Sequence, residues 1–225
     1  MMFRTFGLAF MIALTGAVTP GPVLVLVMGQ VLAQGIGAAF LIMLGHALLE
    51  SILVLGLARG MKSVLVHPAL RAFFGMVGGL VLLWMGWDLL LAGGSAAVSG
   101  KTGTAVSPAK LVLAGMGVSL SNPYFTGWWV TVGSGQAAAL KLKSLRDYGI
   151  FYAGHELGDL AWYLFVAVVI ATGRGWLLGG AYATVLRISA LIILGLGTAF
   201  FIVSLLSLQA RKSRQGSPPV GEQGT

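Results

Sequence analysis

Two short runs in this chain carry residue types that can do chemistry, and they carry them in the same order. Gly45-His46-Ala47-Leu48-Leu49-Glu50 and Gly154-His155-Glu156-Leu157-Gly158-Asp159 both read Gly-His-x-Leu-x-acid. On an α-helix, residues four apart are about 40° apart around the axis, so each histidine shares a face with its acid. Imidazole changes charge near neutral pH, and an adjacent carboxylate favours its charged form. Each pair can therefore load and release a proton. The same four residues, His46, Glu50, His155 and Asp159, also form a donor set suited to a metal ion such as zinc or manganese. Glu156 stands roughly 100° from His155 and 60° from Asp159, within reach of the same group. The bland alternative is that each pair only neutralises itself.

Position decides between these uses. The chain has 225 residues, 57% hydrophobic and 9% charged, with mean hydropathy +0.93; soluble domains carry about 25% charged residues. The sequence is thus expected to be an all-α integral membrane protein. Glu50, Glu156 and Asp159 are half of its six acids, and all three fall inside apolar segments. A charge at the bilayer centre costs about 2.5–3.5 kcal/mol, so such residues face an interior cavity and mark ion or proton pathways.

A second signal is a pair of helix breaks. Thr19-Pro20-Gly21-Pro22 interrupts an apolar run from Thr5 to Val31, and Ser121-Asn122-Pro123 interrupts another. Proline lacks the N–H and clashes with the preceding turn, so neither helix continues unbroken. Backbone groups freed at membrane depth are tolerated only inside protein or along a cavity, and half-helix N-termini favour anions. Thr19, Pro20, Gly21, Pro22, Asn122 and Pro123 are accordingly expected to bind substrate and to hinge, with the Asn122 amide both donating and accepting. Tyr124, Trp128, Trp129, Trp162 and Tyr163 follow the motifs and are candidates either for cavity walls or for lipid contact. Thr126, Thr131 and Ser134 are expected to bond back to their own helix.

At about 20 apolar residues per span, the elements that must position these groups are six helices: 5–31, 36–58, 72–92, 109–138, 148–171 and 184–208. Residues 1–208 form one transmembrane domain, and the basic tail 209–225 is expected to be disordered. Ten of the fourteen Lys and Arg residues fall on one side, at Arg4, Arg59, Lys62, Arg71, Lys141, Lys143, Arg146, Arg211, Lys212 and Arg214. Lys101, Lys110, Arg174 and Arg187 fall on the other, which puts both termini in the cytoplasm. The charge of +8 is therefore a topology signal and not a nucleic-acid footprint. With no cysteine, neither disulfides nor thiolate sites arise. Trp84, Trp87 and Asp88 are expected at an interface, His67 in solvent, and Gly75/Gly79 and Gly154/Gly158 at close helix contacts.

The halves echo each other: a proline-broken helix, then a Gly-His-x-Leu-x-acid helix, then a third helix, in 5–92 and again in 109–208. Three helices per half is odd, so the halves are inverted, an arrangement of secondary transporters with sites at the repeat interface. Both breaks and both His/acid pairs lie at the centres of their segments. One other reading is open, since His155-Glu156-Leu157-Gly158-Asp159 is similar to the His-Glu-x-x-His helix of metalloproteases. It lacks a third ligand, and the companion run has Ala47 where the base would stand.

The Thr-Pro-Gly-Pro of helix one, the acid of helix two, Asn122-Pro123 of helix four and the Asp159-Leu160-Ala161-Trp162-Tyr163 run of helix five resemble the LysE/RhtB family of amino-acid exporters, over about Phe6 to Leu206. The resemblance implies an inner-membrane efflux carrier for amino acids or related zwitterions, driven by proton antiport and without cofactor. Its implied partners are the substrate, protons and the bilayer, with a second copy of the chain as a further candidate. The chain departs from the family pattern in Leu49-Glu50 and in its two histidines. That departure leaves the substrate open and keeps export of a divalent metal, through His46, Glu50, His155 and Asp159, as the alternative.

Overall fold

The computed structural model describes residues 2–60, 67–99, 105–173 and 182–215. Those residues form helices α1 (Met2–Ala17), α2 (Pro22–Gln34), α3 (Gly37–Ala58), α4 (Pro68–Ser99), α5 (Pro108–Ser121), α6 (Pro123–Trp128), a π-helical turn (Trp129–Gly133), α7 (Ser134–Ala139), α8 (Leu145–Thr172) and α9 (Tyr182–Gln215), with no strand among them. Four stretches, Gly37–Ala58, Pro68–Leu91, Leu145–Thr172 and Leu186–Gln209, are long and apolar enough to cross a membrane. The pair α1 and α2, bent by 81° at the Thr19–Gly21 break, makes a fifth if it is one span.

Local chemistry sets the ends. Proline opens α2, α4, α5 and α6, where its missing N–H would have had no helical partner. Gly35 ends α2 at φ +87, a backbone region that costs glycine nothing. Ser144 starts α8 with a reciprocal cap: the Asp147 N–H donates to Ser144 Oγ at 3.1 Å, and the Ser144 N–H donates to Asp147 Oδ2 at 3.0 Å. The capping box satisfies two otherwise unbonded donors and fixes where His155 and Asp159 lie along the bundle.

The expected segments are recovered with differences. The fourth is not one helix: α5 stops at Ser121, Asn122 leaves the helix with ψ 108, and the chain restarts at Pro123. The last helix runs to Gln215, past the expected end at 208, so residues 209–215 are helical where disorder was expected. Gln, Ala, Arg and Lys form helix readily once a long apolar helix has nucleated it. Residues 216–225, and Lys62, Lys101 and Arg174 from the charge tally, lie outside the described residues.

Packing follows the small residues. α4 lies along α9, α1 along α8, and α3 along α5 and α8. A Cβ on Gly154 would meet the Phe6 carbonyl oxygen at 2.5 Å, and one on Gly158 the Phe10 carbonyl oxygen at 2.7 Å. A Cβ on Gly79 would lie 3.0 Å from the Gly197 carbonyl oxygen, and one on Gly75 would collide with Ser204. Both expected glycine pairs therefore stand at helix contacts. Gly45 and Gly115 perform the same role between α3 and α5, each with its Cα against the other helix's backbone at Val112 and Ile42. Trp84 and Trp87 are exposed, as expected of an interfacial belt. Thr131 and Ser134 donate to the Gly127 and Val130 carbonyls of their own turn.

Candidate functional site

The two breaks meet. The side chain of Asn122 comes within 3.8 Å of where a Cβ on Gly21 would sit, and Thr19 Oγ1 lies 3.2 Å from Tyr124 Oη. At the first break, Gly21 is fully extended (φ −147, ψ −178) and Pro22 takes the first helical position of α2. At the second, Asn122 Oδ1 accepts from the Tyr124 N–H at 3.1 Å and caps α6. That bond uses the amide oxygen and leaves the Asn122 NH2 for other partners. Beside the breaks lies a cavity of about 60 Å3, lined by Thr19, Pro20, Gly21 and Val23 from the first break and by Asn122, Tyr124 and Phe125 from the second. Its wall also includes His46, Glu50, Ser119, His155 and Asp159, with Trp128, Trp129 and Tyr163.

α3 and α8 pack so that their two motifs converge. His46 Nε2 is 3.2 Å from Glu50 Oε1 and 3.4 Å from Asp159 Oδ2. His155 Nε2 is 3.3 Å from Glu50 Oε2 and 3.5 Å from Asp159 Oδ2. The pairs have exchanged partners as well as kept their own, and the result is a closed ring, histidine alternating with acid. Glu50 is 2% exposed and Asp159 5%, so the ring is buried inside the bundle. Isolated buried carboxylates would be prohibitive, but ion pairs and directed donors offset that cost.

Second contacts orient the ring. Ser119 Oγ donates its one hydrogen to the Gly115 carbonyl at 2.7 Å, so at 2.6 Å from His46 Nδ1 it must accept, and His46 carries a proton on Nδ1. Neutral His46 would then aim the Nε2 lone pair at two carboxylates. A further proton on Nε2, a protonated acid, or another cation is needed to make that contact attractive. Trp129 donates its indole N–H to Glu50 Oε1 at 2.8 Å. In the π-helical turn a Cβ on Gly133 would come within 2.6 Å of the Trp129 ring, and Trp129 opens that turn directly after Trp128; such bulges recur at functional sites. Their indoles lie 4.8 and 4.9 Å from the His155 ring. Glu50 Oε2 and His155 Nδ1 are buried without a hydrogen-bond partner.

Of the residues expected from sequence, His46, Glu50, His155 and Asp159 come together. The breaks join them at the cavity, through Thr19, Pro20, Gly21 and Asn122; buried Pro22 and Pro123 sit behind it. Glu156 does not line the cavity. Its carboxyl is buried beside Glu50 and the Tyr152 hydroxyl, with Oε1 making no hydrogen bond. Tyr124, Trp128, Trp129 and Tyr163 form walls; Trp162 does not. Ser119 was missed, although a serine three residues before Asn122 falls on nearly the same helical face, which was the available signal. Nothing in the sequence pattern foretold the indole of Trp129 reaching Glu50, because the π-helical turn resets the phase.

A family model described as LysE type translocator matches residues 14–204, which takes in both breaks and both His/acid runs. No curated protein and no solved structure matches the chain.

Proposed function

The chain belongs to the LysE type translocator family and is a multi-pass membrane transporter, not an enzyme; from that premise we propose that it exports amino acids or related small zwitterions by proton antiport. The observation that carries the proposal is the buried ring of His46, Glu50, His155 and Asp159 set in one cavity with both helix breaks. An ammonium group and a proton are alternative occupants of the same carboxylates, so loading one expels the other. Asp159 and Glu50 receive the ammonium, with His46 and His155 taking or giving protons and Glu156 beside Glu50 as a further carboxyl. The substrate carboxylate is held by the Asn122 amide and the first turn of α2, whose N–H groups precede its first backbone bond, Val25 to Gly21. Aromatic walls exclude water, which strengthens these interactions.

The cycle we infer is alternating access between two inverted halves, 5–92 and 109–208, within a single domain 1–208. Six spans are then required, with 109–138 crossing as the chain α5, α6, the π-helical turn and α7. Helix contacts favour this reading. An exchange of halves turns the α1–α8 contact into the α5–α3 contact and leaves α4–α9 unchanged, and all three are among the contacts made. Gly154 against Phe6 likewise answers Gly45 against Val112. The prolines at 20, 22 and 123 serve as hinges. The charge bias supports cytoplasmic termini, and the family supports an inner-membrane placement.

Export of a divalent metal is the second reading, favoured by one observation: donors of His46, Glu50 and Asp159 lie within 4.8 Å of one another. One experiment separates the two. Proteoliposomes with an imposed pH gradient receive a panel of amino acids and divalent metals while proton movement is followed, for wild type and Asp159→Asn. Proton movement triggered by an amino acid in wild type alone supports amino-acid antiport; a response to metals alone transfers the function to the second reading; silence to both panels refutes proton-coupled transport at this ring.

A further inference from the structure

The ring has a property that amino-acid transport does not need. Zinc bound by imidazole nitrogen and carboxylate oxygen sits about 2.0–2.2 Å from each donor, which separates tetrahedral donors by roughly 3.3–3.6 Å. The four His-to-carboxylate separations are 3.2, 3.4, 3.3 and 3.5 Å. Three of the four exceed the usual N–H···O range, about 2.7–3.2 Å. Glu50 Oε2, fully buried and 3.3 Å from His155 Nε2, makes no hydrogen bond. A ligating histidine commonly donates its other ring N–H to an outer partner, and His46 does so to Ser119. Its Nε2 faces the two acids, where a proton or a metal ion has to lie between them.

We propose that a transition-metal ion of the zinc class binds between α3 and α8 at His46, Glu50 and Asp159, beside His155, and that it arrests the carrier instead of crossing with it. The arrest follows from the surroundings. Passage of an ion needs a succession of sites weak enough to leave. Among the described residues, His46, Glu50 and Asp159 are the one group of three or more His, Cys, Asp or Glu donors placed to hold a metal. The other residues lining the cavity are aromatic, aliphatic, small or neutral polar apart from His155, and offer no second set of this kind. An ion that enters exchanges water for three protein donors and finds no further site to receive it, while it ties together the two helices that carry the ring.

The inference rests on the proposed function only for the arrest; binding stands apart from it. The test uses full-length protein in detergent, titrated with zinc chloride by calorimetry and with cobalt chloride by visible absorption, without any amino acid. The expected result is one ion per chain, a micromolar or tighter Kd, and the intense cobalt spectrum of a tetrahedral site. His46→Ala should abolish this. Ser119→Ala, which keeps every ligand and removes only the acceptor that orients His46, should weaken binding about 10–100-fold and serves if His46→Ala does not fold. Binding that neither variant changes, or a weak six-coordinate cobalt spectrum, overturns the site. In proteoliposomes, zinc should lower amino-acid efflux at least tenfold with no zinc crossing; zinc found on the far side overturns the arrest. A protein that binds zinc one-to-one yet moves no amino acid upholds the site and refutes the proposed function.

Discussion

Replacing Gly45 by alanine adds a single methyl group, yet it should disable the ring a full turn away. The new Cβ would collide with the Val112 carbonyl oxygen, standing 2.8 Å from Val112 C and 3.0 Å from Met116 N, all backbone atoms of α5. Backbone cannot rotate out of the way as a side chain can, so α3 and α5 must part by at least about 0.5 Å to reach ordinary contact. The His46 Nδ1 to Ser119 Oγ distance, 2.6 Å across that seam, would then pass 3 Å. Overpacking of this kind costs about 1–3 kcal/mol, and weakening a buried hydrogen bond adds roughly 1 kcal/mol. For a chain of this size a total of about 2–4 kcal/mol lowers the unfolding midpoint by roughly 4–16 °C. The control is Gly117→Ala on the same α5 helix, which has nothing within 4 Å of its Cβ and should be neutral or stabilised by up to about 1 kcal/mol. Thermal unfolding in detergent, followed by intrinsic tryptophan fluorescence and paired with efflux in proteoliposomes, reads both effects. A Gly45→Ala protein as stable and active as Gly117→Ala would refute the idea that backbone contact between α3 and α5 sets the position of His46.

Further outcomes follow from the same geometry. Trp129→Phe removes the indole donor to Glu50 Oε1, a bond to a charged group of about 1.5–3 kcal/mol, and should cut efflux roughly tenfold or more at equal expression; unchanged efflux would mean that Glu50 needs no indole. Pro20→Ala should impair efflux while membrane insertion, measured by membrane fractionation, stays intact; normal efflux from that variant would remove the break from the mechanism. Glu156→Gln should reduce proton-coupled efflux less than Asp159→Asn does, since Asp159 lines the cavity and Glu156 does not. Equal losses would show that Glu156 is as much a part of the coupling as Asp159.

Much of this was legible from the residues alone. Proline at 20, 22 and 123 has to break a helix wherever it sits, because the missing N–H and the ring clash are covalent facts. His46 with Glu50, and His155 with Asp159, had to share a face because the helical repeat places residues four apart together. The scarcity of charge dictated a membrane, and Ser144 with Asp147 contained the start of α8 in its spacing. What the sequence could not hold were relations between helices. That the two His/acid pairs exchange partners into one ring depends on how closely α3 approaches α8. Ser119 reaching His46 depends on backbone contact at Gly45 and Gly115. Glu156 falling off the cavity, and Trp129 falling on it, depend on small rotations of α8 and on the phase shift of a π-helical turn. Periodicity along one chain is local and survives any packing; distances between helices are set by which small residues let the backbones close, and only the tertiary structure fixes those.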